Sequence, residues 1–410
     1  MPDDQTNDEP ETNETRRPLE GVRVIDAGNL VAVPFATRLL ADFGAEVIKI
    51  EHPEYGDGLR ELEPHKDDVP LWWKVTARNK KGITLNLSTE KGREVFLDLV
   101  ADADIVAENF RPGTLERWDL GPETLYERNP SLVLLRISGY GQTGPKSDEP
   151  GFGRIAGAMS GMTNLIGEAD GPPMTPGYPL GDGVSGMMGA FASLVALRHA
   201  EETGEGQMID LALYEALFNM LEFTAIEYDQ LGNVRKRTGN QHPYVAPSST
   251  YQSADGEYVS MTASTQSIWR RLCRAIDREE LVEDPRFEDN ASRVEHADEI
   301  NGIVADWVED HTREEVEETF DEHGVAYSFV YDVADAFEDE HYRAREALVD
   351  VEDDELGETT VQGVVPKLEK TPGAVDSLGP KKGQHNEEVY RDLLEYPEEM
   401  IEELREDGIV

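Results

Sequence analysis

The sequence predicts an α/β protein: a large domain built on a Rossmann-like parallel sheet, followed by a smaller α+β domain. Three observations carry this. From Gly21 onward, short apolar runs alternate with helical segments, as parallel strands and their crossover helices do. Near residue 235 the pattern changes, and strand-like runs flank Asp255–Gly256 as in a hairpin. The chain has 410 residues, ample for more than one domain. The expected division is 1–17, an acidic disordered terminus; 18–224, the large domain; 225–330, the small domain; and 331–410, a segment returning to the large domain.

Each element has its own signal. "GVRVID" gives a strand over Val22–Asp26. "PFATRLLADFGA" gives a helix from Pro34, since proline suits a helix's first turn. A second strand follows over Val47–Ile50, completing a β-α-β unit. "EKGREVFLDLVADA" is helical, and strands follow over Ile105–Glu108 and Leu132–Ile137. Loops with Gly or Pro follow Asn109–Phe110 and Ser138–Tyr140, and ligands collect at such carboxyl ends. Residues 141–182 read as a Gly- and Pro-rich structured loop lining a site. Residues 183–200 read as a largely buried helix and 211–229 as a second apolar helix. Residues 266–346 are acidic, amphipathic and helical, 358–372 are extended, and a helix closes the chain.

Asp and Glu number 85 against 38 Lys and Arg, a net charge of −47. That excludes a binder of nucleic-acid backbone and disfavours docking on anionic membranes. No run of 18 apolar residues occurs, so no spanning helix is expected. The acidic opening cannot serve as a signal peptide. A single cysteine, Cys273, excludes an intrachain disulfide framework and reads as core. These features predict a cytoplasmic protein. The acids run from end to end, with 12 Lys against 26 Arg, as suits a surface kept soluble in molar salt.

Several chemistries lack their residues. The turn "DAGNLVAVPF" has no G-x-G-x-x-G, Glu51 reads as a solvated strand end, and no P-loop is present. The nine histidines form no H-x-x-x-H or H-E-x-x-H, so no metal is expected. No G-x-S-x-G offers a serine nucleophile. Asp182 in "PLGDGVSGMMGA" stands between two glycines before a helix. It reads either as a helix N-cap or as a carboxylate nucleophile left open to a bulky electrophile; the residues alone leave both open.

The chain resembles the class III CoA-transferases, the group that holds formyl-CoA, carnitine-related and mesaconate-related enzymes. The resemblance rests on "GVRVIDAGNLVAVPFATRLLADFGAEVIKIEHP", "ARNKKGITLNLSTEKGREVFLDLVADADIVAENFRPGTLERW", "ISGYGQTGP", "PLGDGVSGMMGAFASLVALRHAEETGEGQMIDLALYEAL", "DPRFEDNASRVEHADEI" and "TPGAVDSLGPKKGQHNEEV", in that order, covering about 18–395. It implies that Asp182 is the nucleophile. It places coenzyme A contacts at Arg38, Asn109, Phe110 and Arg117, and Tyr140 near the acyl group. His242 would be a wall residue, and Arg154 and Arg60 would be candidate holders of a second carboxylate. It also implies an interlaced homodimer and coenzyme A as part of the substrate, with no tightly bound cofactor.

The family's formyl-CoA branch has a glutamine where Val31 stands and a glycine-run loop that is absent here, which disfavours oxalate or formate. Related 2-methylacyl-CoA racemases have a histidine where Phe152 stands; a racemase needs both an acid and a base, so transfer is favoured over racemisation or a noncatalytic CoA-binding scaffold. With the salt-adapted surface, the resemblance points to transfer from succinyl-CoA to mesaconate, as in the methylaspartate route of salt-loving archaea. The rivals are intramolecular transfer between the two carboxyls of mesaconyl-CoA and transfer to another carboxylic acid.

Overall fold

A computed structural model describes residues 16–410 of the chain. The expected disordered terminus over 1–17 lies outside the described residues except for its last two. Of these, Arg17 is held by Asp376, with Nη2 2.7 Å from Oδ1.

Two compact units divide the chain. The first takes the residues up to Ser160, then Pro176–Glu222 and Arg343–Val410. The second takes Gly161–Thr175 and Phe223–Tyr342, so residues 161–175 leave the large domain expected over 18–224. The reason is local. The Arg237 guanidinium donates to the carbonyl oxygens of Asn164 at 3.0 Å and Gly171 at 2.9 Å, tying that segment to the second unit.

The first unit is organised by six parallel strands: β1 (Arg23–Asp26), β2 (Glu46–Glu51), β3 (Lys80–Thr84), β4 (Ile105–Glu108), β5 (Val133–Ser138) and β6 (Met208–Ala212). Their spatial order is β3-β2-β1-β4-β5-β6, the Rossmann order, which reverses direction between β1 and β4. The short strands expected from sequence fall on β1, β2, β4 and β5. β3 and β6 carried too little signal: β3 opens on two lysines, and β6 holds Asp210. The register sets Val24 beside Val47 and Ile105, and Ile25 beside Ile48 and Val106, all fully or almost fully buried. The outer edge of β3 is covered by the chain's return: Gly82 N donates to His385 Nδ1 at 3.0 Å and Thr84 N to Asn386 Oδ1 at 2.9 Å.

Four helices accompany these strands. α1 (Ala32–Ala41) follows β1, α2 (Glu90–Ala101) follows β3, and the long α4 (Leu180–Thr203) runs beside α1; the short α3 (Gly153–Met159) precedes α4. Small residues on α4 allow this close packing. A Cβ on Gly186 would lie 2.7 Å from Phe35 Cδ1, and one on Gly189 3.1 Å from Ile137 Cδ1. α4 was expected to be largely buried. Instead one face packs on α1 and β5, while Met187, Phe191 and Val195 on the other are 52%, 70% and 56% exposed. α4 is also the one helix among the described residues with the length and composition to cross a membrane, although no such segment was expected; half of its apolar window is buried inside the fold.

The second unit has a three-stranded antiparallel sheet, Ser248–Gln252, Tyr258–Thr262 and Tyr327–Phe329, with helices Gln266–Ala275, Ala297–Glu309 and Arg313–His323. Its core holds Trp269, Phe287, Val304 and Phe320 at 0% exposure, and Cys273 is equally buried. Tyr327–Phe329 interrupts the stretch expected to be helical over 266–346. The Thr265, Asp289 and Thr312 side chains each accept a hydrogen bond from a first-turn amide of the helix that follows.

Candidate active site

Asp182 occupies the first turn of α4. The helix begins at Leu180, Pro179 is its N-cap, and no side chain caps it. Asp182 is therefore not the N-cap of this helix. Its carboxylate rests against the bare backbone of Gly153: a Cβ there would come 2.9 Å from Asp182 Cγ and 3.3 Å from its amide nitrogen. Gly181 is packed as tightly, since its own Cβ would lie 2.8 Å from Gly153 O. Burial pushes the Asp182 carboxyl above the usual aspartate range, and the hydrogen bond from its own amide pulls it back in part.

The same corner receives the end of β5. Gly139 meets Gly151 so closely that a Cβ on Gly139 would sit 2.6 Å from Gly151 Cα. The Tyr140 ring lies over Gly151, 3.2 Å from where its Cβ would be. Gly151 and Gly153 thus bring Tyr140 and Asp182 to one place, two residues apart along the connecting chain. The Tyr214 ring faces Tyr140 at 6.4 Å.

A second feature sits where the strand order reverses. The turn after β1 has its amides taken by side chains. Gly28 N donates to Asp26 Oδ1 at 3.0 Å, Asn29 N to Asn109 Oδ1 at 2.7 Å, and Leu30 N to Asp57 Oδ1 at 3.0 Å. Asn109 Nδ2 returns a bond to Asn29 O at 2.8 Å. With those donors occupied, this turn cannot cradle a pyrophosphate as a glycine-rich dinucleotide turn does. A buried charge cluster lies beneath it. Lys80 Nζ is 2.8 Å from Asp26 Oδ2, and Lys49 Nζ is 3.0 Å from Asp57 Oδ2 and donates to Gly28 O.

Above this turn opens a cavity of about 180 Å³, lined among others by Asn29, Lys49, His52, Tyr55, Phe110 and Trp118. His52 and Tyr55 stack face to face at 3.8 Å, and Phe110 meets Trp118 edge-on at 5.2 Å. These rings supply flat apolar walls of the kind a purine uses. His52, Tyr55 and Trp118 were missed from sequence; for His52 and Tyr55 the signal was their place just past β2.

The other expected residues are placed as follows. Phe110 lines the cavity, and Asn109 stands behind it, bonded to the lining residue Asn29. Arg117 is exposed beside Trp118, with Nη2 2.7 Å from Thr114 Oγ1. Arg38 lies away from the cavity. It sits six residues into α1, under Phe35 at 4.4 Å and 3.9 Å from Asp42, where burial and then Arg78 lower its guanidinium to about 10. Its Nε, one turn before Asp42, has no hydrogen-bond partner, because the Asp42 carboxylate is held by Arg78 at 2.6 Å. Arg60 is likewise committed: it pairs with Glu51 at 2.6 and 2.8 Å, donates to Pro380 O at 2.9 Å and lies over the Trp73 ring at 3.8 Å. Glu51 is therefore a buried partner, not a solvated strand end. Arg154, exposed on α3, follows directly after Gly153. His242 belongs to the second unit, where Nδ1 accepts from Tyr244 N at 3.1 Å. Among the described residues no group of three or more His, Cys, Asp or Glu side chains is placed to hold a metal ion.

The fold and site thus combine a Rossmann-ordered sheet, a first turn whose amides are taken, and an aspartate on a glycine-rich helix at the strand ends. The chain belongs to CoA-transferase family III, whose profile matches residues 19–386, and it is a CoA-transferase. Two relatives from Chloroflexus aurantiacus are each 43% identical. One is a succinyl-CoA–D-citramalate CoA-transferase, aligned over 96% of this chain and 98% of its own length. The other is the β subunit of a succinyl-CoA–L-malate CoA-transferase, aligned over 97% and 99%. A succinyl-CoA:mesaconate CoA-transferase from Haloarcula hispanica is 35% identical over 90% of this chain and 95% of its own. The crystal structure of a CAIB/BAIF family protein from Brucella suis superposes with a TM-score of 0.82 at 30% identity, covering 92% of this chain and all of that one.

Proposed function

We propose that the chain moves coenzyme A from succinyl-CoA to a four- or five-carbon dicarboxylate, with Asp182 as the covalent nucleophile. The observation that carries this is the Asp182 carboxylate, seated on bare glycine backbone at the carboxyl ends of the strands with a raised pKa. The mesaconate acceptor expected from sequence is joined, and preceded, by 2-hydroxy dicarboxylates of the malate and citramalate kind. The support is that the two relatives at 43% identity carry those acceptors in their names and the relative at 35% carries mesaconate, while all three share succinyl-CoA.

The steps balance without a metal or a redox group. The Asp182 carboxylate attacks the thioester carbonyl; a C–O bond forms, the C–S bond breaks, and a succinyl-aspartyl anhydride and CoA thiolate result. The thiolate attacks the aspartyl carbonyl, giving aspartyl-CoA and free succinate. The acceptor carboxylate attacks aspartyl-CoA, forming a second anhydride and releasing the thiolate. Attack of the thiolate on the acceptor's carbonyl yields the new CoA ester and frees Asp182. The nucleotide end of coenzyme A lies in the cavity walled by His52, Tyr55, Phe110 and Trp118, with Asn109 fixing the lining residue Asn29 and Arg117 outside it. Tyr140 sits beside the acyl group, and Arg154, next to Gly153, is the candidate for the acceptor's far carboxylate.

A homodimer accords with the uncovered apolar stripe Met187, Phe191 and Val195 on α4, which a second copy would bury. The end-to-end acidic charge supports a cytoplasm of high salt as its setting. The test is an acceptor panel in molar KCl, with succinyl-CoA as donor and products read by chromatography. L-Malate, D-citramalate and mesaconate should accept coenzyme A with release of succinate. Brisk transfer to a monocarboxylate, with none to these three, would overturn the substrate reading. Isomer exchange by mesaconyl-CoA alone would favour intramolecular transfer.

A further inference from the structure

We propose that the Ser185 hydroxyl is a hydrogen-bond donor to the Asp182 carboxyl oxygen during acyl transfer; this rests on the reading of Asp182 as nucleophile. Ser185 is fully buried, and its Oγ has no hydrogen-bond partner. Buried hydroxyls are nearly always paired, and an unpaired one costs folding free energy. A serine inside a helix also has the i−4 carbonyl within reach, here that of Gly181, and this one leaves it unused.

The position gives the spare donor a use. Ser185 is three residues after Asp182, so the two side chains share one face of α4 about 5–6 Å apart at Cβ. Cα–Cβ bonds tilt toward the helix N-terminus, which carries the Ser185 hydroxyl over the turn that holds Asp182. Asp182 itself is flanked by glycines at 181 and 183. When the CoA thiolate attacks the aspartyl carbonyl, negative charge gathers on the carbonyl oxygen, and a donor waiting there stabilises that state more than the ground state. The hydroxyl lends a hydrogen bond and keeps its proton.

The same helix supplies a control. Ser193 is also fully buried with an unpartnered Oγ, but it lies 11 residues past Asp182, about 16 Å along the axis. A purely structural account treats the two serines alike. The experiment compares the full-length chain with its Ser185→Ala, Ser185→Cys and Ser193→Ala variants in molar KCl, measuring kcat, KM for succinyl-CoA, melting temperature and the rate of single-turnover labelling of Asp182. Ser185→Ala should lower kcat and the labelling rate roughly tenfold to a hundredfold with KM unchanged and melting temperature equal or higher. Ser185→Cys, a weaker donor of similar size, should fall between. Ser193→Ala should match the parent. A Ser185→Ala enzyme within twofold of the parent, or a Ser193→Ala enzyme equally impaired, would overturn the inference while leaving the nucleophile in place. No label on Asp182 in the parent during turnover would overturn both.

Discussion

The carboxylate of Asp182 lies against Gly153 with no room for a methyl group between them. A Cβ at residue 153 would approach Asp182 Cγ to 2.9 Å, and both residues are held by backbone packing. Gly153→Ala should therefore displace the carboxylate while leaving the cavity at β1 and β4 intact. A displacement near 1 Å commonly costs about 100-fold in rate. Steady-state kinetics should show that fall in kcat with KM for succinyl-CoA within a few-fold.

The raised Asp182 carboxyl has a signed consequence. The nucleophile must be ionised, so kcat should fall on the acid side with a midpoint above that of an ordinary aspartate. Because burial raises the folded-state pKa, folding penalises the charged form at every pH above the unfolded value, and the penalty fades as pH drops through that window. Asp182→Asn should thus be inactive yet melt higher than the parent at neutral pH, with the advantage shrinking toward pH 4. Melting curves across pH check the sign.

Lys80 Nζ sits 2.8 Å from Asp26, with both side chains at 0% exposure. Lys80→Met would leave the Asp26 charge buried with only Lys49, 3.9 Å away, to offset it. The expected loss is about 3 kcal/mol of stability, read by denaturant unfolding in molar KCl.

Asn109 joins the two halves of the sheet through its paired bonds to Asn29. Asn109→Ala should cost about 1–2 kcal/mol and should raise KM for CoA esters more than it lowers kcat, because the turn it holds forms the cavity's rim. Titration with coenzyme A alone separates binding from turnover.

The legible parts of the fold were those with apolar strands and sharp punctuation. β1, β2, β4 and β5 were readable because Val, Ile and Leu crowd them. β3 was hidden because Lys80 and Lys81 open it, and only the structure reveals that Lys80 is neutralised by Asp26 rather than solvated. In the site, Asp182, Asn109 and Phe110 stood out through the family resemblance. Sequence shows a charge but not its partner: Arg60 pairs with the buried Glu51, while Arg38 lies 3.9 Å from an Asp42 that Arg78 already holds. The His52–Tyr55 stack escaped notice because a platform made of two rings three residues apart looks like any loop. The outward face of α4 could not be told from core by composition, since its Met and Phe are as apolar as the residues packed on the sheet.

The central claim is that Asp182 carries coenzyme A covalently. Acid quenching of the full-length enzyme with succinyl-CoA in molar KCl, followed by peptide mass spectrometry, tests it most directly. A CoA thioester on the peptide containing Asp182, absent from Asp182→Asn and discharged when L-malate or mesaconate is added, is the predicted result. Steady turnover with no adduct, or an adduct on any other residue, would contradict it.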